Sequence, residues 1–210
     1  MGAPGLPAAL DAAQLAPVLA DILPGAPAAC IDAAAASLAP HFQARQVPRR
    51  QPVLRQGELW NRALLVDSGL IRMHFVDRDG HEFNKNFFAE GSLVCPIAPA
   101  MWLAPSLFGI STIEPTRLWA ADATLLRTRL GAPGLWRDLQ CELLARLLTG
   151  KLQREHDLLA LDGRQRYDAF CRRQPGLAAR VPLKHLASYL GLTDVSLSRL
   201  RRTTTTGRAL

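Results

Sequence analysis

The sequence predicts an α+β chain, with short strands forming a small sandwich or barrel and helices from there to the end. Three observations predict this. Between Phe42 and about Arg129, apolar residues alternate with polar ones in short runs separated by turn residues. From Leu135 onward, leucines recur at helical spacing. Between Val181 and Arg202, two short apolar-periodic segments meet at Gly191 and end in arginine.

The strands come first. Asp67, Ser68 and Gly69 split RALLV from LIRMHFV. In the second run Ile71, Met73 and Phe75 alternate with Arg72, His74 and Val76, the period of a strand with one buried face. Asp77-Arg78-Asp79-Gly80 reads as a hairpin turn and HEFNKNFF as the return strand. Gly91 marks another turn, and FGISTIE, TRLWAAD and TLLRTRL read as further strands. The helices follow. Leu135, Leu139, Leu143 and Leu147 form one row, and Leu144, Leu148 and Leu152 the adjacent row. So wide a stripe suits packing on the barrel, on a second copy of the helix, or on both. Asp162 with Gln165 forms an N-cap and capping partner for a helix of about Arg164 to Arg173, which Pro175-Gly176 ends. Ahead of the strands, residues 1–40 are rich in alanine and proline, so a loose start and a helix ending near Pro40 are expected.

Composition bounds the class. A chain of 210 residues, 49% of them hydrophobic, buries a real core as one large domain or two small ones. Cys30, Cys95, Cys141 and Cys171 lie far apart without a C-x-x-C pair, which argues against a zinc ribbon, a redox dithiol or an iron–sulfur cluster. The N-terminus lacks a positive n-region and no apolar run is long enough to span a membrane, so a cytoplasmic location is expected. The net charge is +7, unevenly placed. From Arg164 to the end, ten Lys/Arg face Asp168 and Asp194, a local +8; residues 1–163 hold fifteen Lys/Arg and sixteen Asp/Glu, a local −1. A basic C-terminal part favours a polyanion partner.

That part carries the most specific pattern. A helix–turn–helix needs a small residue where its helices approach, a glycine at the turn and apolar residues between the helices. Counting from Leu183, the small residue is Ala187 and the turn is Gly191. Leu186, Leu190, Leu192, Leu197 and Leu200 fill the interhelical positions. Thr193 is placed to N-cap a second helix from Asp194 to about Arg202. Its outer face offers Asp194, Val195, Ser196, Ser198, Arg199 and Arg202, side chains suited to phosphates and base edges. A helical pair that caps a core or docks a protein accounts for neither the full spacing nor the charge.

These residues resemble the Crp/Fnr (catabolite activator protein) superfamily of bacterial transcription regulators over roughly residues 40–202. RALLVDSGLIRMHFVDRDGHEFNKNFFAEGSLV is similar to that family's sensor hairpins, the helix from Leu135 to its dimerisation helix, and RVPLKHLASYLGLTDVSLSRLRR closely to its helix–turn–helix. The resemblance implies a cupin-like double-stranded β-helix (jelly roll) sensor and a homodimer on near-palindromic double-stranded DNA, contacting RNA polymerase. The domains it implies are an N-terminal helical extension at 1–40, a cyclic-nucleotide-binding-like barrel at 41–133, a dimerisation helix at 134–161 and a DNA-binding domain at 162–210. By position Asp194, Val195 and Arg199 would face bases, with Thr193, Ser196 and Ser198 near phosphates and Lys184, Arg201 and Arg202 adding charge. Gly91, Ser92, Leu93, Trp102, Ser106 and Leu107 would line an effector pocket.

Three departures follow. Where cyclic-nucleotide binders carry Gly-Glu-Leu and Pro-Arg-Ser, this chain has Cys95-Pro96-Ile97 and Pro105-Ser106-Leu107. Without the arginine a phosphate lacks its counter-charge, so cAMP is not the expected effector and no cofactor is expected. Asp194 and Val195 replace the usual first residues of the recognition helix, which implies a different target sequence. TTTTGRAL after Arg202 implies a wing that is reduced or absent.

No nucleophile elbow, phosphate loop or paired-carboxylate pattern is found, so an enzyme is not expected. His74, His81 and Glu82 flank one hairpin without the spacing of a cupin metal site, and the histidines are expected on the solvated side or at the turn, without a metal. The rival reading is a cupin-like small-molecule-binding or metal-dependent enzyme with a helical assembly domain. AEGSLVCPIAPAMWLAPSLFG suits core packing, an apolar effector pocket or a filled one.

Overall fold

The computed structural model describes residues 9–130 and 134–206. Helix α1 (Ala12–Ile22) starts at a capping box, with the Asp11 carboxylate accepting from Ala13 N and the Gln14 side chain from Asp11 N. Pro17 lies inside α1, where it removes one intrahelical bond. Helix α2 (Ala28–Leu38) packs on α1 through Ile31, Ala34, Ala35 and Leu38. The expected loose start is therefore corrected from Asp11 onward: small alanines let two helices approach closely, and leucines at helical spacing bury their shared face.

Eight strands follow: β1 (Gln43–Val47), β2 (Pro52–Leu54), β3 (Arg62–Ser68), β4 (Ile71–Val76), β5 (Glu82–Phe88), β6 (Leu93–Val94), β7 (Gly109–Thr112) and β8 (Thr116–Asp122). They form two antiparallel sheets, ordered β1-β8-β3-β6 and β2-β7-β4-β5, the strand order of a jelly roll. Helix α3 (Pro99–Trp102) interrupts the path between β6 and β7. TLLRTRL forms helix α4 (Ala123–Arg129) instead of a ninth strand, because the Asp122 carboxylate caps the Thr124 N–H at 2.8 Å.

The remaining helices are α5 (Leu135–Ala160), α6 (Gly163–Arg173), α7 (Pro175–Arg180), α8 (Leu183–Leu190) and α9 (Asp194–Thr206). Asp162 and Gln165 make the expected capping box on α6. Pro175 also opens α7, where its missing N–H costs nothing. Helix α9 continues through Thr206, four residues past the expected end, and no strand follows it among the described residues.

Three apolar cores stack through the molecule. Leu64, Val66, Leu118 and Ala120 of the first sheet meet Ile71, Met73 and Ile110 of the second between the sheets. On the outer face of the first sheet, Ala63, Leu65, Trp119 and Ala121 pack against α1, α2 and the start of α5. On the outer face of the second, Leu70, Phe87 and Ile113 pack against Phe170, Val181, Leu186, Leu190 and Leu197 of the C-terminal helices. Helices thus cover part of the outer face of each sheet. Among the described residues no helix is long and apolar enough to cross a membrane.

Two glycines on this scaffold test it in opposite directions. Gly69 has φ +105°, and a Cβ there would sit 2.7 Å from the Thr116 Cα. Gly69→Ala is expected to lower stability by roughly 2–4 kcal/mol through backbone strain and overpacking. Gly150, inside α5, has open space where a Cβ would go, so Gly150→Ala is expected to raise stability by about 0.5–1 kcal/mol. Urea denaturation of the two variants checks both signs.

Candidate nucleic-acid interface and effector cavity

The turn between α8 and α9 is built as its residue types require. Gly191 adopts a left-handed conformation at φ 66°, and the Leu192 N–H returns to the Ala187 carbonyl at 2.9 Å. Ala187 is fully buried, so α9 crosses it closely. The Thr193 hydroxyl accepts from Ser196 N at 3.1 Å and meets the Ser196 hydroxyl at 2.8 Å, capping α9. Leu197 is fully buried, and Asp194, Val195, Ser196, Arg199 and Arg202 are exposed on the outer face with Ser198 half-buried beside them. Val195, an apolar side chain, is 59% exposed there. Lys184 is exposed at the start of α8, at the mouth of a second, polar concavity shared with Arg55 and Arg72. Arg201 departs from expectation. It turns inward, donating to the Tyr167 hydroxyl at 3.3 Å and the Ala178 carbonyl at 3.1 Å, and so ties α9 to α6 and α7.

Helix α8 lies on the outer face of β5. Asn84 N donates to the Ser188 hydroxyl at 3.0 Å, and the Tyr189 ring meets Phe87 at 5.3 Å and Phe170 at 5.5 Å. Beside them Arg72 donates to the Asn84 side chain at 3.1 Å, to Glu82 at 2.6 Å and to His185 Nδ1 at 3.2 Å. Burial, and then the Arg72 charge, push the His185 imidazole down to about 4. His74 is corrected: it is buried under this junction, not solvated, with Nε2 3.5 Å from Glu82, and burial lowers its affinity for a proton. At the junction's rim Arg180 pairs with Glu90 at 2.7 Å and with Glu114, and its bonds hold the Glu90 carboxyl at about 2.

His81 sits at the hairpin turn, where Asp77, Asp79 and His81 place ligand atoms within 4.8 Å of one another. The Asp77 carboxylate accepts from Asp79 N and His81 N, both at 2.9 Å, so its acceptor capacity serves the turn.

A cavity of about 630 Å³ opens between the barrel, α1 and α5. Gly91, Ser92 and Leu93 line it. Trp102, Ser106 and Leu107 do not. Trp102 faces Arg127, whose guanidinium lies 4.9 Å from the ring centre. The Ser106 hydroxyl donates to the Phe108 carbonyl at 2.8 Å, and Leu107 is 78% exposed. Their neighbours Met101 and Phe108 enter the cavity instead. Sequence reasoning missed the walls from α1 (Val18, Asp21, Ile22) and from β5 (Lys85), although a lysine within the apolar return strand was a legible signal.

No protein-family model matches the sequence, and no protein of curated function matches it. Solved structures match in fold. FixK2 from Bradyrhizobium japonicum is 16% identical with a TM-score of 0.69, covering 79% of this chain and 85% of that one. The c-di-GMP-responsive global regulator CLP of Xanthomonas campestris is 20% identical with a TM-score of 0.62, covering 80% and 88%. A Eubacterium rectale protein assigned to the crp/fnr family of transcriptional regulators is 14% identical with a TM-score of 0.61, covering 79% of each. The chain has the fold of Crp/Fnr regulators.

The α8 junction carries a pH dependence. Arg72 and Asn84 both aim donors at His185 Nδ1, so the docked imidazole is neutral. Once released, it takes a proton near 6.5, whereas docked it does so near 4. Its contribution is therefore fully present above about 6.5 and is lost as pH falls toward 4. Glu82 adds in the same sense: burial raises its affinity for a proton, but the Arg72 bond and charge together with the His74 and His185 charges more than offset this, so the net shift is downward. Denaturation midpoints are expected to fall between pH 7.5 and 5, and His185→Gln is expected to flatten that slope.

Proposed function

We propose that this chain is a DNA-binding transcription regulator of the Crp/Fnr type, acting in the cytoplasm as a homodimer and not as an enzyme. The observation that carries this is the outer face of α9, which exposes Arg199 and Arg202 among short polar side chains while Leu197 locks the helix from behind. Arg199, with Asp194 and Val195, reads base edges, and the first turn of α9 with Ser196, Ser198 and Lys184 approaches phosphates. Arg201 acts from inside, by fixing α9 on α6 and α7.

Self-association is supported by α5. Its first leucine row ends in the core at Leu135 and Leu139, and its second row leaves Leu144, Leu148, Leu152 and Leu159 exposed, Leu148 by 58%. Each leucine buried against a second copy contributes about 1.5–3 kcal/mol. Two copies joined there present two α9 helices to successive major grooves, with half-sites about 34–36 Å apart on an inverted repeat. Contact with RNA polymerase belongs to this reading. The cavity is the effector site, and an effector acts by binding the DNA-competent state more tightly than the other. It is not a cAMP site: Cys95-Pro96-Ile97 and Pro105-Ser106-Leu107 lack the glutamate and arginine that hold a cyclic nucleotide.

Capture of sheared genomic DNA from the source by the purified protein at about 150 mM salt tests this, because purely electrostatic binding fades there. An enriched inverted repeat is expected. Arg199→Ala is expected to weaken binding to that repeat by about ten- to hundredfold and to relax one position of it. Leu148→Glu is expected to yield monomers by light scattering and to lose the repeat while keeping the fold. No enrichment with or without cell extract overturns the reading.

A further inference from the structure

The cavity's charge arrangement narrows its ligand; this rests on the cavity being the effector site. Among the described residues two carboxylates line it, Asp21 and Glu90, and each is already paired. Asp21 accepts from Arg146 at 2.7 Å, and Glu90 accepts from Arg180 at 2.7 and 2.9 Å. Arg146, a lining cation, is also held by Glu142 at 2.7 Å. The other lining cation among the described residues is Lys85, and its environment is different. Its Nζ lies 3.4 Å from the Met73 sulfur and 5.6 Å from the centre of the Phe108 ring. Among the described residues no carboxylate pairs with it.

Backbone geometry puts Lys85 there. In the β4–β5 ladder Met73 pairs with Asn86 and His74 with Asn84, so Lys85 is the extra residue of a bulge. Its neighbour Asn84 faces α8, and the bulge re-aims Lys85 toward the interior. A lysine with two apolar neighbours and no counter-ion is costly to keep charged. Burial, then the positive Lys151 and Arg154, accordingly lower its affinity for a proton. An anionic ligand atom at Nζ removes that cost.

We infer that the cavity takes an amphipathic organic monoanion, with its carboxylate-like head on Lys85 and its apolar body along Met73, Met101, Phe88 and Phe108. Asn86, whose amide oxygen accepts from Phe87 N at 2.9 Å, leaves its NH2 group as a second donor beside the head. The space, about 630 Å³, is ample for such a molecule. With Arg146 already neutralised, a second anionic group on the ligand finds no partner, so one head is favoured over two.

Calorimetric titration of the full chain with decanoate, its neutral counterpart decanol, and the two-headed sebacate tests this without DNA. Decanoate is expected to bind at least tenfold more tightly than decanol or sebacate. Lys85→Met is expected to erase the preference over decanol while decanol affinity changes less than twofold, which shows that the cavity survives the substitution. Equal affinity for decanoate and decanol in the unaltered chain overturns the inference, as does a preference that persists in Lys85→Met or binding of neither probe. These outcomes are independent of genomic capture, so a chain that binds decanoate but no operator sinks the regulator reading alone.

Discussion

The placement of α9 rests on one apolar contact, the burial of α8 against the outer face of β5. Leu70, Phe87 and Ile113 contribute from the barrel, and Phe170, Val181, Leu186, Leu190 and Leu197 from the C-terminal helices. At about 1.5–3 kcal/mol for each large side chain removed from water, this cluster outweighs everything else at the junction. The ion pairs around it are of another order. Arg180 with Glu90 and Glu114 is partly exposed, and such pairs contribute about 1 kcal/mol or less apiece. Their role is orientation: an arginine bridging two carboxylates admits few rotations of α7, whereas an apolar surface alone allows sliding.

Polar groups buried at that junction have a different logic. Arg72, His74 and Asn84 are nearly inaccessible, yet they face one another and α8, not the barrel core. Arg72 alone bonds to Ser111, Asn84, Glu82 and His185. Ser111, Asn84 and Glu82 belong to the barrel, so separating α8 costs Arg72 its His185 partner and costs Asn84 N the Ser188 hydroxyl, each a donor left without that acceptor until water reaches it.

Legibility in the sequence followed the range of the constraint. The helix–turn–helix was readable because its requirements are local: Ala187, Gly191 and the leucines between helices lie within one short stretch, and Thr193 and Asp162 cap their helices three residues away. The period of β4 correctly sent Ile71 and Met73 inward. It sent Arg72 and His74 to solvent, because alternation identifies the second face of a strand but not what covers it. The covering helix α8 comes more than a hundred residues later. Helix α1 was hidden because Pro4, Pro7 and Pro17 among alanines suggest looseness, while its stability comes from burying Leu15, Leu19 and Ile22 on α2 and the sheet. Trp102 and Leu107 were misplaced in the cavity for a related reason. Apolar character says that a side chain seeks a partner; which of two neighbours enters the cavity is settled by one residue of register around α3.

Strand β5 joins these findings into one mechanical path. Along five residues it gives Asn84 to α8, Lys85 and Asn86 to the cavity, Phe87 to α8 and Phe88 to the cavity. Side chains on the two faces of a strand share its backbone, so a ligand that fixes Lys85 and Phe88 acts on the same peptide units that hold Ser188 and pack under Tyr189. The bulge at Lys85 is where the strand departs from regular pairing, and so where its backbone yields at least cost. A ligand that favours one setting of that bulge biases the α8 junction by its difference in affinity between the two settings, and by no more than that. Among the described residues none of α9 lines the cavity, so α8, which rests on β5 through Asn84 and Phe87 and packs against α9, is the element by which a change in β5 can be passed on to α9.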